Sequence, residues 1–365
     1  MVTDTRLPLT YDECRARFER AVTTAGCSLE RFPIAAAGPA GQRLDIGATM
    51  LGPTDAPGLV VVLSGVHGVE GFVGSALQCD LLRRTAPSAL PPGVAVLLVH
   101  AVNPWGMAWW RRENESNVDL NRNWRRSDTE PVHNDAYDEI HDLVCPATPA
   151  MPPVDELLAA AGEMVGERGL GWVRDAITAG QYRHPDGLHY GGARTEESNR
   201  VLEQITRRWI DGRDRVLVID LHTGHGPRGE LTLLCDQPPG SASHQLLSRW
   251  FPMATVEATI ANPDATTGPK SGQIANGIRA RLPDGRCVAT SAELGTTPDL
   301  EQLVATYVSH WVHLHGDPTD PAQAAAVWAY RCCFTPDDPA WEQAAIERGR
   351  AFLDAALPAV NELGS

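Results

Sequence analysis

The sequence predicts an α/β protein: a mixed, mostly parallel β-sheet flanked by helices on both faces. Two observations carry this. Four runs read as strands buried on both sides, because they are nearly continuous in apolar residues rather than alternating: GLVVVL (58–63), VAVLLVHAV (94–102), RVLVIDL (215–221) and CVATSAEL (287–294). Between them lie stretches with helical spacing, such as GSALQCDLLRR (74–84), which parallel strands need as crossovers.

Taken in order, residues Tyr11 to Ala25 carry apolar positions at helical spacing, and the Gly/Pro-rich AAAGPAGQRLDIGATMLGP that follows reads as paired strands and turns. Residues 1–57 are thus expected as an N-terminal elaboration of a single domain spanning 1–365. The segment from about 130 to 200 is expected as an insertion beside the sheet. It holds a Pro-rich patch, CPATPAMPPVDE (145–156), a long Ala/Glu helical stretch and a Gly-rich loop, GQYRHPDGLHYGG (180–192). From Gln323 onward, helical stretches alternate with the turn FTPDDP.

Composition removes several function classes. With 46 acidic against 31 basic residues, a net charge of −15, the chain lacks the basic footprint of a nucleic-acid or anionic-membrane binder. Any anion site must then be a local arginine cluster. The N-terminus has no export-signal pattern and no run approaches about 18 apolar residues, so a cytoplasmic protein without membrane contact is expected. The eight cysteines, at 14, 27, 79, 145, 235, 287, 332 and 333, form no CxxC pair and are expected reduced and structural.

Ligands of open α/β sheets bind at the C-terminal ends of strands, and there the chemistry-bearing residues fall. The first strand is followed by SGVHGVEG with His67 and Glu70, the third by His222 in IDLHTGHG, and the fourth ends in SAELGT with Glu293. His, Glu and His at strand ends match a catalytic zinc set, in which three protein ligands leave a position for water. Glu293 would be the free carboxylate that takes a proton and delivers it to a leaving amine. After the second strand, HAVNPWGMAWWRRENESNVDLNRNW brings Arg111, Arg112, Asn121 and Arg122 together; guanidinium groups bind carboxylates bidentately and stabilise oxyanions. His225 reads as a rim residue, His184 and His189 as solvated loop histidines, and the tryptophans at 105, 109, 110 and 124 as packing. No GxSxG elbow supports a serine nucleophile.

GVHGVE, NPWG…RRENESNVDLNRN, DLHTGHG and AELGT resemble, in order, the motifs of the zinc carboxypeptidase superfamily and its aspartoacylase/succinylglutamate desuccinylase relatives. SGVHGVEGFVGSALQ, GQYRHPDGLHYGG and DLHTGHGPRGE look most like the branch called domain of unknown function 2817. The resemblance implies a zinc carboxypeptidase-like three-layer fold and one Zn2+ per chain, held by His67, Glu70 and His222. It implies Glu293 as general base and acid, Arg111 or Arg112 polarising the scissile carbonyl, and Asn121 and Arg122 holding a substrate carboxylate. Asp119 matches the carboxylate that orients the first zinc histidine. The implied substrate is a small peptide or an N-acyl amino acid with a free carboxylate, cleaved at the adjacent amide. The rival expectation is a non-catalytic binding protein on the same scaffold. Tyr182 and Tyr190 sit in the Gly-rich loop, but no motif identifies a counterpart of the mobile tyrosine of the carboxypeptidases.

Overall fold

The computed structural model describes residues 6–124, 133–148, 150–151, 153–317 and 319–364. Of the expected N-terminal elaboration and insertion, residues 1–5, 130–132, 149 and 152 lie outside the described residues.

Among the described residues eight strands form one sheet: β1 (Leu29–Ala37), β2 (Arg43–Leu51), β3 (Gly58–Ser64), β4 (Val94–His100), β5 (Arg215–Gly224), β6 (Leu231–Cys235), β7 (Thr255–Ala258) and β8 (Cys287–Gly295). Their spatial order is β1-β2-β4-β3-β5-β8-β6-β7. The β3–β4, β3–β5, β5–β8 and β6–β7 pairings are parallel; β1–β2, β2–β4 and β6–β8 are antiparallel. The sheet is therefore mixed and mostly parallel, as expected.

Alternation along the central strands feeds two separate cores, because successive side chains point to opposite faces. Val60, Val62, Val96, Leu98, Leu217 and Ile219 pack with Leu77 and Leu81 of helix Gly71–Arg84 and with Phe352 and Leu353 of helix Pro339–Ala359. Leu59, Val61, Leu63, Leu97, Val99 and Val218 pack on the other side with Leu202 and Ile205 of helix Glu197–Ile210 and with Ile274 and Ile278. All seven residues of β3 and of β4 are buried, which is why neither strand shows a polar alternation.

The four strands read from sequence are all present, with shifted ends. The second stops at His100, whereas β5 and β8 run on to Gly224 and Gly295. His222 accordingly sits inside hydrogen-bonded strand rather than after it, while Glu293 lies within β8 as expected. The N-terminal helix, Tyr11–Thr24, and the paired strands β1 and β2 follow the pattern expected of them. The Ala/Glu stretch is two helices, Val154–Arg168 and Leu170–Thr178, divided at Gly169. With Asp135–Val144 they enclose a small core of Tyr137, Ile140, Val144, Val173 and Ile177. Among the described residues no helix is long and apolar enough to cross a membrane.

The strand order reverses at β3: β4 lies on one side and β5 on the other. This opens a crevice beyond their C-terminal ends, where a doubly wound sheet binds its ligand.

Candidate functional site

The crevice is lined by the turn after β3. Ser64 ends the strand, and after three residues the chain winds through a single 3-10 turn, Gly68–Glu70, directly into helix Gly71–Arg84. Close approach dictates the composition of this turn. A Cβ on Gly68 would stand 2.0 Å from the backbone carbon of Gly106, so no side chain fits. The Val69 and Gly68 N–H groups donate to the carbonyls of Arg111, at 2.9 Å, and Arg112, at 3.4 Å, which fixes the arginine segment alongside the turn.

The turn presents His67 and Glu70 to His222 on β5. The three residues are 4, 3 and 2% exposed, and one ligand atom from each falls within 4.8 Å of the others. His67 Nδ1 lies 3.0 Å from Glu70 Oε1, and His222 Nδ1 lies 2.9 Å from Glu70 Oε2. Yet His67 Nδ1 is buried without a hydrogen-bond partner, because it meets the carboxylate at an angle no hydrogen bond uses. Ligand atoms aimed at one tetrahedral zinc ion stand about 3.4 Å apart, given bonds of about 2.1 Å. An orphaned buried nitrogen, neighbouring donors near that spacing and an N/N/O donor set all fit zinc. Burial would raise the Glu70 carboxyl, but His67 and His222 hold it well below the usual carboxylate range, so it is ready as an anionic ligand.

Both histidines are backed by carboxylates on their far nitrogens. His67 Nε2 is 3.1 Å from Asp119 Oδ1. Asp119 is fully buried; burial would raise its carboxyl, and Arg112, His67 and Arg122 hold it well down. It also accepts from Arg112 Nε at 3.0 Å and the Asn121 N–H at 2.8 Å, and lies 3.3 Å from His189 Nδ1. Asp220 Oδ2 is 2.8 Å from His222 Nε2, although the pair misses hydrogen-bond angles. Burial would lower the His222 imidazole; Asp220 and Glu70 raise it well above its ordinary value. Asp220 escaped the reading of the sequence. Its signal was there, since residues i and i+2 of a strand share a face.

Glu293 is the direct register partner of His222 across the parallel β5–β8 pair, so both side chains rise from the same face about 5 Å apart. It is half-buried, and its Oε2 accepts weakly from the His225 N–H at 3.5 Å. His225 itself lies 3.7 Å from Glu257 and 3.1 Å from Thr266 Oγ1, a rim position.

The two candidate arginines part company. Trp110, in the left-handed conformation at φ 53°, ends the short helix Pro104–Trp109 and turns the chain. Arg111 then points away from the ligands and is buried against Glu113 and Asn117, each at 2.8 Å. Arg112 reaches Glu70 Oε1 at 3.1 Å as well as Asp119. Asn121 Oδ1 accepts from the Ile274 N–H at 2.9 Å. Arg122 is 1% exposed and donates through Nε and Nη2 to the Thr178 carbonyl and through Nη1 to the Asn121 carbonyl. Of the loop tyrosines, Tyr182 donates to the Arg122 carbonyl at 2.6 Å, while the Tyr190 carbonyl accepts from the Asp119 N–H. A second group, His141, His184 and Asp186, is more exposed, and His184 Nε2 is already 2.9 Å from Asp138.

The fold is that of the zinc carboxypeptidase-like α/β proteins. Within that class, the family model described as a protein of unknown function, DUF2817, matches residues 8–348, and the chain belongs to that family. Carboxypeptidase A from Helicoverpa armigera superposes with a TM-score of 0.51 at 12% identity, covering 94% of this chain and 74% of that one. A metallo-carboxypeptidase from Burkholderia cenocepacia gives 0.48 at 14% identity over 96% and 69%. Succinylglutamate desuccinylase from Vibrio cholerae gives 0.38 at 13% over 85% and 67%. At such identities the likeness is one of fold. No curated protein matches the sequence.

Proposed function

We propose that the protein is a zinc-dependent hydrolase that cleaves an amide bond next to a free carboxylate, in a small peptide or an N-acyl amino acid. The observation that carries this reading is the buried His67–Glu70–His222 cage with the half-buried carboxylate of Glu293 rising beside it from the neighbouring strand. A binding scaffold has no need of a base in register with a ligand histidine.

Bound between His67 Nδ1, Glu70 and His222 Nδ1, zinc would supply a Lewis acid that polarises a carbonyl and acidifies water towards neutrality. The chain's own residues do the rest. Glu293 takes the proton of the attacking water and returns it to the departing nitrogen, the double role of a general base and acid. Arg112 is the better placed of the two arginines to steady the developing oxyanion. It donates through Nε and Nη1, and its Nη2 has no hydrogen-bond partner among the described residues. Asp119 and Asp220 keep the ring orientation and basicity of the ligand histidines. Asn121 and Arg122 belong to the wall that receives the substrate carboxylate.

The test is metal analysis of the purified protein together with a chromatographic screen of C-terminal peptides and N-acyl amino acids, for wild type and Glu293→Gln. About one zinc per chain and turnover lowered by about 10² to 10⁴ in the variant, with zinc retained, are expected. Stoichiometric zinc with no turnover on any amide would favour a binding protein; turnover indifferent to chelation would end the zinc mechanism.

A further inference from the structure

Arg122 is poorly placed to do the recognising itself. Three of its five N–H groups are committed to the carbonyls of Thr178 and Asn121, its Nη1 lies 3.8 Å from Asp119, and its guanidinium is sealed from solvent. Another cation stands in a loop fastened to the same wall. Lys270 lies in the loop between β7 and helix Ile274–Arg279, and both flanks of that loop are fastened to the site.

On one flank the Gly272 carbonyl accepts from the Trp124 N–H at 2.9 Å, Asn121 Oδ1 accepts from the Ile274 N–H, and Ser271 Oγ lies 3.2 Å from the Tyr182 hydroxyl. The approach is so close that a Cβ on Gly272, already at φ +67°, would stand 2.1 Å from the Arg122 carbonyl oxygen. On the other flank Thr266 and Thr267 donate to Glu257, and Thr266 meets His225, whose N–H faces Glu293. The loop that carries Lys270 is thereby fastened to the Asn121–Arg122 wall on one flank and towards Glu293 on the other, and both Arg122 and Glu293 act on its ammonium electrostatically.

Its ammonium is partly buried and donates to Thr267 Oγ1 and, at 3.2 Å, to the Gly268 carbonyl. Among the described residues it has no ion-pair partner. Asp236, which acts on it electrostatically, is engaged by Thr259 and by Asn276 Nδ2. Asn121 Nδ2 likewise has no recorded acceptor among the described residues.

We propose that Lys270 is the group that captures the free carboxylate of the substrate, while Arg122 is the buried post that holds the receiving wall in place. Lys270 has this substrate to capture only if the site takes carboxylate-bearing amides, as proposed above. A single mobile ammonium suits a carboxylate approached from the solvent side, where a locked guanidinium offers no open edge.

The experiment measures binding rather than turnover, so that it is read separately from the hydrolysis screen. Succinate and its monoamide, succinamate, differ by one carboxylate; their affinities for the zinc-loaded protein are measured by calorimetry in wild type, Lys270→Met and Lys270→Arg. Wild type is expected to favour succinate by about tenfold or more, as a charge-assisted hydrogen bond allows. Lys270→Met should bind the two equally while keeping its zinc, and Lys270→Arg should retain part of the preference.

A pH series adds a readout that a structural role would not move. Burial pushes the Lys270 ammonium down to about 8; Arg122 and Arg112 add to this, against Asp236 and Glu293. Being charged below that value and neutral above it, it should lose the preference for succinate as pH rises through and beyond roughly 8, whereas Lys270→Arg, charged throughout, should not. Equal affinity of wild type for the two probes, or an unchanged ratio in Lys270→Met, would overturn the assignment.

Discussion

Asp220 shows how far a single side chain can act without touching a ligand. It stands behind His222 as Asp119 stands behind His67, and each pairing favours the Nδ1 of its histidine as the metal-facing atom. Replacing Asp220 by Asn keeps the shape but removes the charge that raises the imidazole's basicity. Zinc affinity is expected to fall by about 10- to 100-fold, measured by competition with a chromophoric chelator; an unchanged affinity would mean that Asp220 merely fills space. At this scale the sequence was most legible in which residues meet: His67, Glu70 and His222 do cluster, with Glu293 in register beside His222. It was silent on Arg111 against Arg112, because the choice depends on the left-handed turn at Trp110. Lys270 could not be found from its neighbours, since its meaning comes from contacts at Trp124 and Asn121, far off in the chain.

Among the elements, the 3-10 turn between β3 and helix Gly71–Arg84 is packed backbone against backbone. It brings two ligands to the crevice only because Gly68 lies against the Gly106 backbone. Gly68→Ala must push the two segments apart, and overpacking of this kind costs about 1–3 kcal/mol. A lowered melting temperature accompanied by weaker zinc binding is expected, whereas stability lost with zinc affinity intact would show that the turn tolerates displacement. The four central strands could be read because they are long and apolar throughout. β6 and β7 were missed because they are only five and four residues long, and β7 lies at the sheet edge with one side unpaired, so neither carries a strong pattern. The end of β5 was placed too early because His222 is polar, and polarity mimics a strand terminus from sequence.

For the whole molecule, a metal that binds the native chain and not the unfolded one must stabilise it. With zinc at a thousandfold its dissociation constant the gain is about 4 kcal/mol. Chelation should therefore lower the melting temperature of wild type markedly and that of His67→Ala/His222→Ala hardly at all, as scanning calorimetry would show; equal responses would place the stabilising metal elsewhere. The position of the proposed site gives this a particular meaning. Glu70 and His222 meet across 152 residues of chain, and the helices from Asp135 to Ile210 hang within that span. All eight cysteines are free thiols. Zinc here would be a removable staple, shrinking the conformational freedom of a very long loop as a disulfide would, yet closed and opened by metal supply instead of redox state.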